Sequence, residues 1–278
     1  MSRLQPEILW SGGFGGSLLE DRVAAAARLG YRAVSALVDD FLSLGAYRAG
    51  ELARRAADQG VQVEVLDVVT EWYPPAAETA AGLPKVTPET AFAAAEAFGC
   101  VMVTALPSPP SLLPVEGVAE AFAQLCDAAR GRGISVQLEF RTVPPVCGLA
   151  TGWDVVRLAD RANGTLMFDT WHCFKSGSDL ALLERIPGDR ITAVQVNDGL
   201  IATVDSLLED SLFHRLLPGE GEFPIKAALQ ALQRIGGLRG LGPEVISRSQ
   251  RSLPVFDAAQ RADEALRRVL AGLDGPVQ

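Results

Sequence analysis

The chain has 278 residues, of which 48% are hydrophobic and 21% are charged. This composition is that of an ordinary folded protein and excludes a disordered or fibrous chain. The formal net charge of −9 argues against a nucleic-acid-binding protein, because such proteins carry a basic face that neutralises phosphates. A small polar molecule is therefore the expected partner.

The chain also lacks the marks of a secreted or membrane protein. Its four cysteines form no CxxC pair and are expected to be reduced thiols. The N-terminus has no charged-then-apolar signal region. The longest uncharged stretch, residues 97–115, is interrupted by Pro107, Pro109, Pro110 and Pro114 and cannot form a membrane helix. We expect a cytoplasmic protein with no membrane partner.

Short apolar runs alternate with amphipathic segments along the whole chain, which predicts strands alternating with helices. The predicted strands are Ile8–Trp10, Ala33–Leu37, Val61–Leu66, Cys100–Thr104, Ser135–Phe140, Thr165–Phe168, Ala193–Val196 and Gly242–Ile246. The predicted helices are Leu18–Leu29, Tyr47–Gln59, Pro88–Phe98, Val115–Arg132, Trp153–Arg161, Asp179–Arg185, Ile225–Ile235 and Asp257–Leu270. Strict alternation indicates parallel strands joined by crossover helices. Eight repeats over this length predict an α/β fold, a single-domain (β/α)₈ TIM barrel over residues 1–278.

Three loops are expected at the barrel mouth. The proline-rich stretches 106–114 and 143–145 each follow a predicted strand. The glycine-rich segment 12–16 follows the first strand, but it lacks the pattern of a phosphate-binding loop. We predict that it is a flexible loop.

Polar side chains stand at the ends of four successive predicted strands. Glu139 ends the fifth strand, Asp169 ends the sixth, Gln195 lies in the seventh and Glu244 lies in the eighth. Each alone could be a loop cap or an ion-pair partner, but together they are expected to converge at the catalytic end of a barrel. Three carboxylates at short range repel one another, and a divalent cation can hold them all ionised. Oxygen ligands favour Mg²⁺ or Mn²⁺ over zinc.

Further candidates lie on the loops that follow these strands. Neither histidine, His172 or His214, has a serine or cysteine partner in a nucleophile motif, so covalent catalysis is not expected. We expect His172 to contact the substrate and His214 to lie at the surface. Arg141 and Lys175 could hold a carboxylate or phosphate of the substrate, or be solvated loop cations. Trp171 could wall a sugar-sized pocket, or simply pack in the core.

Several motifs resemble those of the xylose isomerase-like TIM-barrel superfamily, the sugar phosphate isomerases and epimerases. They are LEF at 138–140, DTWH at 169–172, VQVND at 194–198, PGEGEF at 218–223 and PEV at 243–245. The resemblance implies one divalent metal, often manganese, magnesium or cobalt, with Glu139, Asp169 and Glu244 as ligands. It also implies that Glu139 and Glu244 can double as an acid/base pair and that His172 and Arg215 contact the substrate.

One position departs from the pattern of this superfamily. Gln195 stands where many relatives have histidine, although hydroxypyruvate isomerase-like members also carry glutamine there. The departure weakens the case for zinc, because an amide oxygen is a harder ligand than an imidazole nitrogen.

The leading hypothesis is a divalent-metal-dependent isomerase or epimerase of a small sugar, polyol or keto acid. It would remove a proton next to a carbonyl or hydroxyl carbon, with the metal stabilising the resulting charge. The alternative is a metal-dependent lyase, such as a dehydratase of an inosose- or dehydroshikimate-like substrate. A metal-dependent endonuclease is disfavoured by the acidic charge and the two histidines. A non-enzymatic binding subunit and a homodimer stay open.

Overall fold

The computed structural model describes residues 4–73, 85–107 and 113–273. Eight parallel strands follow one another in chain order and form a nearly closed barrel. This arrangement confirms the predicted (β/α)₈ fold. The strands are β1 (Ile8–Leu9), β2 (Ala33–Leu37), β3 (Gln62–Val69), β4 (Met102–Ala105), β5 (Ser135–Glu139), β6 (Gly164–Asp169), β7 (Ile191–Val196) and β8 (Leu241–Pro243).

Helices join the strands on the outside of the barrel. They are α1 (Leu19–Leu29), α2 (Val38–Asp58), α3 (Pro88–Phe98), α4 (Val115–Arg130), α5 (Gly148–Ala159), α6 (Thr170–Lys175), α7 (Leu180–Leu183), α8 (Leu207–Phe213), α9 (Ile225–Ile235), α10 (Arg248–Arg251) and α11 (Val255–Ala271). Short 3₁₀ turns cover Ser11–Phe14 and Gly188–Arg190.

Several element boundaries differ from the prediction. Helix α2 begins at Val38 rather than Tyr47 and includes a non-helical residue, Gly45, with φ of 73°. Strand β8 ends at Pro243, so Glu244 lies directly after the strand and not within it. The short helices α6, α8 and α10 were not predicted. They follow β6, β7 and β8, where the chain turns over the barrel mouth.

The loops expected at the mouth are only partly described. Residues 108–112 of the first proline-rich stretch lie outside the described residues. Residues 12–14 of the glycine-rich segment, predicted to be a flexible loop, belong to the 3₁₀ turn Ser11–Phe14, and Gly15 and Gly16 follow it. No helix in the described part of the chain is long and apolar enough to cross a membrane. All four cysteines are free thiols, and only Cys147 is exposed.

The apolar side chains pack in two layers. A large outer cluster fills the space between the strands and the surrounding helices. A smaller cluster, in which Ile8, Trp10, Val65 and Met167 are buried, fills the inside of the barrel. Because this interior is packed with side chains, a cavity for a ligand can open only near the ends of the strands.

The seam between β1 and β8 depends on a residue without a side chain. The amide of Glu7 donates to the carbonyl of Leu241 at 2.6 Å. A Cβ on Gly242 would overlap the carbonyl oxygen of Ile8. A backbone carbonyl in a strand cannot swing aside, so any side chain at position 242 would force the two strands apart.

We predict that Gly242→Ala lowers the free energy of unfolding by about 3 kcal/mol, because overpacking against backbone cannot relax. Chemical denaturation of both proteins measures this loss. Gly131→Ala is the matched control, since Gly131 has αR backbone angles and no atom would lie within 4 Å of a Cβ at that position. An equal and small effect of both substitutions would contradict this view of the seam.

Candidate active site

The strand-end residues predicted from the sequence do converge at one end of the barrel. Glu139 ends β5 and Asp169 ends β6, while Gln195 lies in β7 beside Asp169 in the strand register. Glu244 directly follows β8, whose Gly242 pairs with Gln195. All four side chains are buried. Parallel pairing therefore places three carboxyl groups and one amide on the same rim.

His172 joins this group from the first turns of α6. Its Nε2 atom lies 3.3 Å from Glu139 Oε1 and 3.9 Å from Asp169 Oδ2. The helix starts where it does because the Asp169 carboxylate accepts a hydrogen bond from the amide of Trp171 at 2.7 Å. One carboxylate thus both caps α6 and fixes the position of the imidazole relative to Glu139.

Gln195 and Glu244 are joined by a hydrogen bond. Its Nε2 atom donates to Glu244 Oε1 at 3.0 Å. This hydrogen bond leaves Gln195 Oε1 buried, with no hydrogen-bond partner among the described residues. A buried acceptor without a partner is costly, and in native proteins such an atom is explained by strain, a catalytic role, or a bound water or ion. The free oxygen is available as a ligand.

Arg215 supplies the positive charge at the centre of the site. Its Nη1 atom donates to Asp169 Oδ2 at 2.9 Å and to Glu244 Oε2 at 3.2 Å. The other end of the guanidinium is held by Ser211, whose carbonyl accepts from Nε at 3.0 Å. The centre of the Trp171 ring lies 5.7 Å from the guanidinium carbon of Arg215, which makes a cation–π contact.

A loop brings Arg215 to the rim, and Asp198 organises that loop. The backbone of Asp198 exchanges two hydrogen bonds with Leu216, at 2.9 and 2.8 Å. Its carboxylate accepts from the amides of Gly219 and Phe223, both at 3.0 Å. The motif PGEGEF therefore wraps around one buried carboxylate, which explains the motif as a scaffold for the neighbouring arginine.

Burial and neighbouring charges shift the pKa values of the site. Burial raises the pKa of Glu244 well above its ordinary value, even though Arg215 opposes the shift. Burial also raises the pKa of Glu139, while Arg141 and Arg215 lower it. Burial lowers the pKa of His172 well below its ordinary value, so the imidazole is neutral. The rim thus holds a neutral histidine beside carboxyl groups that take up protons more readily than usual.

A cavity of about 300 Å³ opens over this rim, a size typical of a small-molecule pocket. Its polar lining includes Glu139, His172, Gln195, Arg215 and Glu244, all predicted from the sequence. Arg141 lines it too, and its Nε atom is buried with no partner among the described residues. The expected substrate contacts His172, Arg215 and Arg141 therefore all face one space.

Lys175, another expected substrate contact, is placed elsewhere. Its ammonium donates to the carbonyl oxygens of Leu200 and Ala202, at 3.2 Å each, and lies 3.5 Å from Asp210. It ties down the segment after β7 and is not among the residues that line the cavity.

Trp171 and His214 also lie outside the cavity lining. Trp171 is buried and packs edge-on against Phe223, with ring centroids 5.8 Å apart. It contacts the site through Arg215. His214 is half-buried, and its Nε2 atom lies 2.8 Å from Asp205 Oδ2, so the imidazole pairs with a surface carboxylate.

Sequence reasoning missed Asp67 and Arg251, which both line this cavity. Asp67, near the end of β3, lines it, although the predicted third strand stopped one residue earlier at Leu66. Gly12, from the glycine-rich segment expected at the barrel mouth, lines it too. A Cβ at this position would overlap Glu244 Oε1, so a side chain would displace that carboxylate. A charged residue within the run VEVLDVV was the available signal for Asp67.

The donor set fits a hard divalent cation. One ligand atom from each of Glu139, Asp169 and His172 lies within 4.8 Å of the others. The free Oε1 of Gln195 adds an oxygen donor at the same rim. Oxygen-rich sets of this kind suit Mg²⁺ or Mn²⁺, although a nearby imidazole is also compatible with other metals.

Known proteins resemble this chain in sequence and in structure. It is 31% identical over 121 residues to an inosose isomerase of Bacillus velezensis, a match that covers 42% of each protein. It is 30% identical over 138 residues to a 3-dehydroshikimate dehydratase of Pseudomonas aeruginosa, covering 49% of this chain and 22% of that enzyme. Each match therefore spans less than half the length of the curated relative.

The fold is shared by a solved structure of the IolI protein with a bound zinc atom. The TM-score is 0.82 at 18% sequence identity, and the match covers 97% of this chain and 99% of that one. The family model described as xylose isomerase-like TIM barrel matches residues 23–271. This chain therefore belongs to the xylose isomerase-like TIM-barrel family.

Proposed function

We propose that the protein is a divalent-metal-dependent isomerase or epimerase of a small sugar, polyol or keto acid. The observation that carries this proposal is the convergence of Glu139, Asp169, Gln195 and Glu244 at one end of the barrel, where ligand atoms of Glu139, Asp169 and His172 lie within 4.8 Å of one another. These residues would hold Mn²⁺ or Mg²⁺, which would supply positive charge to a substrate oxygen next to the reacting carbon.

Two carboxyl groups are placed to move the proton. Glu139 and Glu244 come from β5 and β8, so they reach the cavity from different sides of the ring of strands. One can remove a proton from carbon, and the other can return a proton to the opposite face or to the neighbouring carbon.

Other residues orient and assist these carboxyl groups. Gln195 Nε2 and Arg215 Nη1 each bind one oxygen of Glu244, which fixes the carboxylate plane. The neutral imidazole of His172 lies next to Glu139 and can pass a proton to or from it. Apolar side chains on the β2–β4 side of the cavity, among them Leu37, Val86 and Leu106, limit the access of water to the reacting groups.

A second candidate is a dehydratase of a hydroxylated keto acid. The specific observation that favours it is Arg141, whose buried Nε atom faces the cavity without a partner among the described residues. Arg251 lines the same cavity. A carboxylate is the natural ligand of such a guanidinium. Proton removal would then be followed by loss of a hydroxyl group from the adjacent carbon instead of reprotonation.

Reaction in deuterated water separates the two candidates. We would incubate the protein with Mn²⁺ and each of two probes, scyllo-inosose and 3-dehydroshikimate, and follow the products by NMR and mass spectrometry. A product that has gained deuterium but kept all of its other atoms supports the isomerase or epimerase. A product lighter by one water supports the dehydratase. No reaction of either kind with any keto-polyol or keto acid in a wider panel would contradict both.

We predict that Glu244→Gln slows exchange of the substrate C–H proton with solvent deuterium by at least about 100-fold, because the amide cannot accept the proton. Glu220→Gln is the matched control, since Glu220 is exposed on the neighbouring loop. Elemental analysis of the variant shows whether it keeps its metal. Full exchange by a metal-loaded Glu244→Gln variant would remove Glu244 from the proton transfer.

We also predict that Arg215→Met makes stability more dependent on metal. Without the guanidinium, Asp169 and Glu244 lose their buried counter-charge, and the metal-free protein should be destabilised by about 3 kcal/mol. Added Mn²⁺ should therefore raise the melting temperature more in this variant than in the native protein. Arg248→Met, which removes an exposed arginine, is the control. Equal metal-induced shifts in all three proteins would contradict the prediction.

A further inference from the structure

Asp67 is a buried carboxyl group that the proton-transfer scheme does not use. Its side chain lines the cavity from β3, on the far side of the strand ring from Gln195 in β7. It is only 8% exposed. Leu37, Val38, Val86 and Leu106 line this side together with the exposed Asp39, so Asp67 is a buried charged group with mostly apolar neighbours.

A chain of hydrogen bonds holds one oxygen of Asp67. Its Oδ1 atom accepts from the Thr104 hydroxyl at 2.5 Å. The Thr104 oxygen in turn accepts from Gln137 Nε2 at 2.9 Å, and Gln137 Oε1 accepts from the Thr192 hydroxyl at 3.3 Å. This chain crosses the barrel interior from β3 to β7 and fixes the direction in which the carboxyl group points.

Ser35 also hydrogen-bonds the Asp67 carboxyl group, and the carboxylate atom without a partner among the described residues is Oδ2. A carboxylate oxygen that is buried and unpaired costs free energy, and an adjacent cavity offers a place for a ligand that would satisfy it. Burial raises the pKa of Asp67 to about 6, so the group is largely ionised, and hence an acceptor, at neutral pH.

We propose that Asp67 is a specificity-determining residue whose Oδ2 atom accepts a hydrogen bond from a substrate hydroxyl on the β3 side of the cavity. The negative charge of Asp67 would at the same time repel a carboxylate or phosphate from that side. Anionic substrate groups would instead be directed to the guanidinium of Arg141. The substrate class is thus a polyhydroxylated carbonyl compound that presents a neutral hydroxyl to β3, an inference that rests on the proposed function.

The kinetic test compares hydroxylated substrates with their deoxy analogues. Asp67→Leu removes the acceptor while keeping the approximate size of the side chain, and Asp67→Asn removes the charge and replaces one oxygen by an N–H donor. We expect kcat/KM for the fully hydroxylated substrate to fall about 10–100-fold in Asp67→Leu, the range for a lost charged hydrogen bond. For the analogue that lacks the contacted hydroxyl, kcat/KM should change less than about threefold. The ratio between the two substrates does not depend on the fraction of folded enzyme.

Two further variants complete the design. Thr104→Val removes the hydroxyl that orients Asp67 and should weaken the same discrimination to a smaller extent. Glu64→Gln is the matched control, because Glu64 lies in the same strand but pairs with Arg32 away from the cavity. We expect Glu64→Gln to behave as the native enzyme. Equal losses for hydroxylated and deoxy substrates in Asp67→Leu and Asp67→Asn would overturn the proposal.

A binding measurement keeps this inference separate from the proposed reaction. Saturation-transfer NMR with myo-inositol, an unreactive polyol, reports binding to the protein loaded with diamagnetic Mg²⁺, without catalysis. We expect binding to the native protein and to Glu64→Gln, and at least about tenfold weaker binding to Asp67→Leu. If the native protein binds the polyol through Asp67 but catalyses no exchange, only the proposed function fails. If neither Asp67 variant alters binding, or if the native protein does not bind myo-inositol, the role of Asp67 is overturned.

Discussion

The structure of this site depends on how positive charge balances buried carboxylates at one end of a barrel. Asp169 and Glu244 share the Arg215 guanidinium, and Glu139 stands beside a neutral imidazole. Burying such a set without compensation would cost several kcal/mol for each ion. Asp198 and Ser211 hold the loop and the guanidinium of Arg215 in place. The Oε1 atom of Gln195 has no hydrogen-bond partner among the described residues.

The cavity has two chemically different sides. Arg141 and Arg251 offer positive charge, whereas Asp67 and Asp39 offer negative charge among the apolar residues of the opposite wall. A substrate with an anionic end and a hydroxylated end could bind in only one orientation. Because the four metal-ligand candidates come from β5 to β8, the reacting carbon would lie between these sides. Orientation and chemistry would therefore be set by different strands of the same barrel.

The strand alternation was sufficient to predict both the fold and the rim. In parallel strands that close into a barrel, side chains at successive strand ends must meet, so Glu139, Asp169, Gln195 and Glu244 could be grouped without coordinates. Lys175 could not be assigned in this way, because its ammonium binds backbone carbonyls of residues 200–202, which no side-chain pattern reveals. Asp67 was missed because the prediction grouped strand ends only from the fifth strand to the eighth, whereas Asp67 follows the predicted third strand.

Counting bound manganese tests the charge balance most directly. The signal of free Mn²⁺ in electron paramagnetic resonance disappears on binding, so titration gives both stoichiometry and affinity. We expect one ion per native chain, weaker binding after Gln195→Leu, and loss of binding after Asp169→Asn. If the native protein binds no Mn²⁺, or if Asp169→Asn binds it unchanged, the four strand-end residues do not form a metal centre. These residues are Glu139, Asp169, Gln195 and Glu244.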